Sequence, residues 1–201
     1  MKKEHWQNIY ATKGMQEVSW FQQIPKISLD LIQKVALQKD ASIIDIGAGD
    51  GFLVDNLLEL GYTNITVLDI SENAINRAKQ RLGEVANRVK WVVSDITEFV
   101  PTEKYDVWHD RAVFHFLTED KDIEKYKTLV SKSTNEYLVL ATFSDEGPNK
   151  CSGLEISKYS ELDLQKQFEE DFKVIESFKK NHTTPFNTTQ NFTFSVFQKQ
   201  Y

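Results

Sequence analysis

The chain has a single cysteine, Cys151, four prolines and eight glycines in 201 residues. One cysteine excludes an intramolecular disulfide, and a reducing compartment such as the cytoplasm is the expectation. No stretch approaches the roughly 18 consecutive apolar residues that a membrane-spanning helix needs. The opening MKKEHWQNIY has lysines but no apolar run behind them, so it does not read as a secretory signal. Positive charge is also short: 24 Lys and Arg against 30 Asp and Glu leave a formal net charge of −6. That balance disfavours nonspecific binding to nucleic acid or an anionic membrane. Repeats, low-complexity tracts and linkers are missing too, so residues 1–201 read as one domain.

Where glycine is scarce, its placement is informative. Gly47, Gly49 and Gly51 fall within one run of five, directly after the apolar segment Ser42–Ile46. That segment reads as a buried strand, and Leu53, Leu57, Leu58 and Leu60 behind the glycines read as a helix ended by Gly61. The alternation continues with strands at 65–70, 89–93, 105–109 and 136–142. Between them lie helices from Ser71 to about Val85 and from Lys121 to Val130. Such alternation predicts right-handed crossovers: an α/β, Rossmann-like, mostly parallel sheet with helices on both faces. After a helix at 161–168, segments 172–178 and 192–197 predict an antiparallel hairpin at the sheet edge. The apolar–polar alternation of the second segment predicts one exposed face.

A strand, G-x-G-x-G and a helix suit a nucleotide-like ligand, because glycine lets a ligand approach the main chain closely. Free N–H groups at the helix start are expected to point at its polar end. Asp69 ends the second strand 22 residues after Gly47, where a carboxylate accepts from both ribose hydroxyls. Asp95 ends the third. With Asp45 these acids share the rim formed by the strand carboxyl ends. A dinucleotide fingerprint needs a glycine at position 52, which is Phe52, and a Walker loop needs a lysine that is absent.

The succession IIDIGAGDG, VLDIS and VSDIT resembles the motifs of class I S-adenosylmethionine-dependent methyltransferases, over about residues 40 to 145. The resemblance implies a seven-stranded sheet, with a cofactor-binding core at 39–145, an N-terminal helical lid region at 1–38, and a C-terminal helix and hairpin at 146–201. It implies S-adenosyl-L-methionine as cofactor and S-adenosyl-L-homocysteine as product. Gly47, Ala48 and Gly49 would pass beneath the methionyl part, and Asp45 would help fix its amino group. Asp69 with Ile70 would hold the ribose, and Asp95 with Ile96 would bracket the adenine. His109 and Trp20 are further candidates for cofactor contact. The blocks HWQNIYATKGMQEVSWFQ, VWHDRAVFHFLTE and ATFSDEGPNKCSGL look like small stand-alone bacterial methyltransferases. Asp110-Arg111-Ala112 with Gly147-Pro148 is distantly similar to thiopurine and thiol methyltransferases. Trp20-Phe21 is similar to elongation-factor lysine methyltransferases. Where the family has a Pro-Gly-Gly turn before strand five, this chain has Ser133-Thr134-Asn135.

A sulfonium is already a strong methyl donor, so the protein mainly aligns a nucleophile and excludes water. Asp110, Arg111 and His115 are the catalytic candidates: a carboxylate to accept a proton, a cation to bind an anionic substrate, and a base. Against these stand packing for His115 and an Asp110–Arg111 ion pair. Asp95, His109, Asp110 and His115 lack diagnostic ligand spacing, so no metal is expected. Trp6, Tyr10, Trp20 and Phe21 form either a lid or a docked helix, and His182, Thr184 and Gln190 border the substrate. The expectation is a methyltransferase acting on a small thiol, amine or acid. A protein-lysine methyltransferase and a non-catalytic cofactor-binding module are the alternatives.

Overall fold

The computed structural model describes residues 2–201. Seven strands form one sheet in the order β3-β2-β1-β4-β5-β9-β8. β1 (Ser42–Ile46), β2 (Asn64–Asp69), β3 (Val89–Val93), β4 (Tyr105–Arg111) and β5 (Thr134–Phe143) are parallel. β9 (Thr189–Lys199) pairs antiparallel with both β5 and β8 (Phe172–Thr183).

Side chains on β1 alternate between two cores, as the period of a strand requires. Ile43 joins α2 (Lys26–Val35), α3 (Leu53–Glu59) and Ile75 of α4 (Glu72–Leu82) on one face. Ile44 joins α5 (Asp120–Ser133) and α6 (Glu161–Phe168) on the other. The lead-in forms α1 (Lys2–Thr12), and β6 (Lys150–Cys151) with β7 (Leu154–Glu155) makes a small separate hairpin.

Four details depart from expectation. The hairpin lies at the sheet edge with β8 outermost, but residues 192–197 of β9 are all buried, so its alternation does not mark a wet face. Ser195 and Thr193 hide their hydroxyls by bonding Ser177 Oγ at 2.7 Å and Tyr159 O at 2.7 Å. The hairpin loop is shorter than 181–191, because pairing continues to Thr183↔Thr189. α4 stops at Leu82 since Gly83 turns to φ 59°, and 3-10 turns cover 83–88. Finally, α5 runs straight into β5: Thr134 is already extended, and Asn135 Nδ2 donates to Asp106 Oδ1 at 3.0 Å. This direct passage replaces the family's glycine turn.

Candidate active site

The carboxyl ends of β1, β2, β3 and β4 open into one cavity whose walls include Asp45, Asp69, Asp95 and Arg111. The Gly47–Gly51 loop forms its floor. Gly47 and Gly49 take φ 63° and 60°, values that favour glycine. A Cβ at Gly47 would overlap Val113, and one at Gly49 would overlap the Tyr10 hydroxyl. Gly49 therefore lies under Tyr10, whereas Gly47 and Ala48 line the cavity itself.

The N–H groups of the loop itself, ahead of the helix start, are bonded within the protein. Gly47 N and Ala48 N both donate to Leu68 O, at 2.7 and 3.2 Å, and Gly49 N donates to Asp69 Oδ2 at 2.7 Å. With those donors spent inside the protein, the loop is not built to cradle phosphates. The polar lining at the ends of β1, β2 and β3 is Asp45, Asp69 and Asp95 with Ser94, and the carboxylates suit hydroxyl, amine and cationic groups.

Asp69 also accepts from Ser71 N at 2.7 Å. Burial pushes its carboxyl up to about 6, while the Ser71 and Gly49 N–H groups pull the other way. Each carboxylate oxygen keeps a second lone pair for a ligand. Asp95 caps its own turn, accepting from Thr97 N at 2.9 Å and Thr97 Oγ1 at 2.8 Å through Oδ1. Ile70 and Ile96 line the same end.

Asp45 is buried and held by a chain that only the fold assembles. His109 Nδ1 lies 2.7 Å from Asp45 Oδ1, and His109 Nε2 lies 2.9 Å from Ser28 Oγ. A carboxylate oxygen only accepts, so Nδ1 donates to Asp45, while Nε2 pairs with the Ser28 hydroxyl. Both ring nitrogens of His109 are thus engaged. Ser28 lines the cavity from α2.

β4 separates the other candidates by its alternation. His109 and Arg111 line the cavity; Asp110 points to the opposite face and does not. Asp110 is fully buried, accepting from Val113 N at 2.8 Å, Phe114 N at 3.1 Å and Tyr126 Oη at 2.6 Å. Burial pushes it up to about 6 against those donors. The expected catalytic role of Asp110 is corrected by this position, as is an Asp110–Arg111 ion pair: the two side chains leave the strand on opposite faces. His115 is likewise fully buried outside the cavity lining, with Phe143 N donating to its Nδ1 at 3.2 Å. Burial, then the Arg111 charge, lowers it to about 3, so it stays neutral and packs rather than acting as a base on a bound acceptor.

Aromatic residues close the other side. Trp6 meets Trp20 and Phe116 edge to face at 5.8 and 5.3 Å, and all three line the cavity with Tyr10. α1 is pinned to α4: Gln7 Oε1 accepts from Ser71 Oγ at 2.7 Å and Asn73 N at 3.0 Å. Arg77 Nη1 donates to Tyr10 O and Lys13 O. Arg81 ties the loop down through Asp50 O at 2.6 Å, Gly51 O at 2.8 Å and Asp55. Neither arginine was legible as part of the site, because their partners, backbone carbonyls and the Asp50 and Asp55 carboxylates, lie far away in the chain. From the hairpin, Gln190 reaches the lining, whereas His182 instead holds Gln22 and Ser19 O, and Thr184 bonds Thr188 within the turn. Among the described residues no three metal-ligating side chains converge, and no helix is long and apolar enough to cross a membrane.

The sheet order agrees with that of known proteins. Residues 43–132 match a family model described as a methyltransferase domain. Residues 43–132 are thus similar to the core of S-adenosylmethionine-dependent methyltransferases, and the seven-stranded sheet is the fold of that class. It is 33% identical over 130 residues to a malonyl-[acyl-carrier protein] O-methyltransferase of Anoxybacillus flavithermus, covering 62% of this chain and 48% of that protein. To the human EEF1A lysine methyltransferase 2 it is 25% identical over 186 residues, 87% of this chain and 75% of the other. The chain thus spans about half the length of the first of these relatives. Among solved structures, the N-methyltransferase NodS from Bradyrhizobium japonicum WM9 in complex with S-adenosyl-L-homocysteine superposes with a TM-score of 0.74 at 15% identity. That match covers 99% of this chain and 98% of NodS.

Proposed function

We propose that this chain binds S-adenosyl-L-methionine and transfers its methyl group to a small-molecule acceptor. The observation that carries the reading is the row of carboxylates Asp95, Asp69 and Asp45 on successive strand ends of one cavity. The residues fit the cofactor. The glycine floor has no room for a Cβ, its N–H groups are not aimed at a phosphate, and the acids match an adenine amine, a ribose and an amino group. When bound, the cofactor supplies a methyl group activated by a positive sulfur.

Asp69 and Ile70 hold the ribose, and Asp95 with Ile96 the adenine. Asp45, oriented by His109 and Ser28, holds the amino group, over Gly47 and Ala48. Trp20, Trp6 and Tyr10 cover the site and exclude water, and aromatic faces suit a sulfonium. Residues 1–38 act as the cover, 39–145 as the cofactor core, and 146–201 complete the acceptor wall through Gln190 and Phe192, all within one domain. One cysteine, Cys151, and relatives from bacteria support a bacterial cytoplasm.

A protein-lysine acceptor is the second reading, favoured by the long alignment to the EEF1A enzyme. Calorimetry should show S-adenosyl-L-homocysteine binding while nicotinamide dinucleotides do not bind. Labelled cofactor offered with small thiols, amines and acids and with lysate protein then decides. Label appearing only in protein would overturn the small-molecule reading, and binding without turnover on any acceptor would leave a cofactor-sensing module.

A further inference from the structure

We infer that the acceptor is a small carboxylate with an apolar body, held by Arg111; this rests on the methyltransferase reading above. Arg111 projects from β4 into the cavity, yet it forms no ion pair among the described residues. Besides the Asp45 charge, which favours its protonated form without a direct ion pair, it has a long hydrogen bond to Trp20 O at 3.5 Å and the Phe192 ring, 5.2 Å below the guanidinium. A guanidinium has five N–H donors in a fork that matches a carboxylate, so most of its capacity faces open space. Burial pulls its proton affinity down, to about 10, and the group remains a cation at neutral pH.

The position points to the acceptor rather than the donor. Across the sheet the adenine, ribose and amino-group acids occupy β3, β2 and β1 in turn. Arg111 follows on β4, and Phe192, on which it rests, lies further out on β9. Phe116, Phe143 and Trp20 complete an apolar wall around it. A charged head and an aromatic enclosure together select an acid carrying a hydrocarbon or aryl body.

The chemistry of this end agrees. His109 has both nitrogens engaged, His115 and Asp110 lie outside the cavity, and burial pushes the Cys151 thiol up to about 11. An amine or thiol acceptor must shed a proton. A carboxylate has none to shed. Its oxygen forms a C–O bond to the methyl carbon as the S–CH₃ bond breaks, and the bonding pair stays on sulfur. The products are a neutral thioether and a neutral methyl ester. The ester no longer carries charge for Arg111, which favours its release.

The test uses full-length protein, wild type, Arg111→Gln and Arg111→Lys. Calorimetry on the S-adenosyl-L-homocysteine complex measures binding of 3-phenylpropionate, hexanoate and the uncharged isostere 3-phenylpropionamide. The acids should bind, the amide about tenfold more weakly or worse, and Arg111→Gln should remove a similar factor with partial retention in Arg111→Lys. Affinity for S-adenosyl-L-homocysteine should stay within about twofold of wild type in both variants, which also shows that they fold. Label from S-adenosyl-L-methionine should appear as base-labile methyl ester on the acids and not on 3-phenylpropylamine or 3-phenylpropanethiol.

Equal binding of acid and amide, or label on the amine or thiol alone, overturns the carboxylate while leaving the methyltransferase reading standing. Loss of S-adenosyl-L-homocysteine affinity in Arg111→Gln without loss for 5′-methylthioadenosine overturns it too, by assigning Arg111 to the cofactor's own carboxylate. Failure of wild type to bind S-adenosyl-L-homocysteine overturns both.

Discussion

Asp69 faces two demands at once, since its carboxylate organises the glycine loop and also faces the ligand. Because its folded pKa of about 6 lies above the ordinary 3.8, folding disfavours its ionised form. The sign follows from linkage: this carboxyl's contribution to stability is present below about pH 3.8 and is lost as pH rises through 6. Ribose hydroxyls favour the ionised form, so ligand binding should change in the opposite sense. The affinity for S-adenosyl-L-homocysteine should rise between pH 5 and 7 and then level, as read by calorimetry. Asp69→Ala should weaken it a hundredfold or more, since two charge-assisted hydrogen bonds are worth about 3 kcal/mol or more together. His115 makes a contrasting case at the same scale. With its pKa near 3 it should leave no inflection in a rate profile above pH 5. His115→Ala should lower stability by about 2–4 kcal/mol in urea unfolding through a cavity and an unpaired Phe143 N–H. A profile that loses its acid limb in this variant would restore His115 as a base.

At the scale of elements, α1 is held on α4 largely by polar bonds. Gln7 joins Ser71 and Asn73 at the N-terminus of α4, and Arg77 takes up the two carbonyls at the far end of α1. Such an element opens at lower cost than a strand buried on both faces. Gln7→Ala should therefore increase hydrogen exchange across residues 3–12 severalfold while leaving β1 and β4 protected. Persistence of slow exchange there would show that aromatic packing, not Gln7, docks the helix. β9 is the opposite kind of element, flanked on both sides by strands and covered on both faces.

The whole molecule couples these elements through the cavity, because strands from one end of the sheet, α1, α2 and the hairpin all contribute walls. A ligand that bridges them stabilises the fold as a unit. S-adenosyl-L-homocysteine at a hundredfold excess over its Kd should add about 2.7 kcal/mol. In a thermal melt that appears as a rise of several degrees, which nicotinamide dinucleotide should not reproduce.

What could be read from the chain alone is local or periodic. Glycine spacing, apolar strands and acids at strand ends need only neighbouring residues, so the class of fold and the Gly47–Gly51 floor follow from them. Even the limits of that reading were local, as at α4, where Gly83 stopped a helix that hydrophobic periodicity would have carried to Val85. The tertiary structure alone decided the rest. Whether β9 is wet depends on which strands flank it, and two polar residues can be buried if distant hydroxyls and carbonyls receive them. Ser28, His109 and Asp45 meet across 81 and 64 residues of chain, a conjunction that no spacing encodes. Strand alternation then sorted adjacent residues by face. Asp110 went to the core, and Arg111 turned its charge to the cavity, where the acceptor is to be sought.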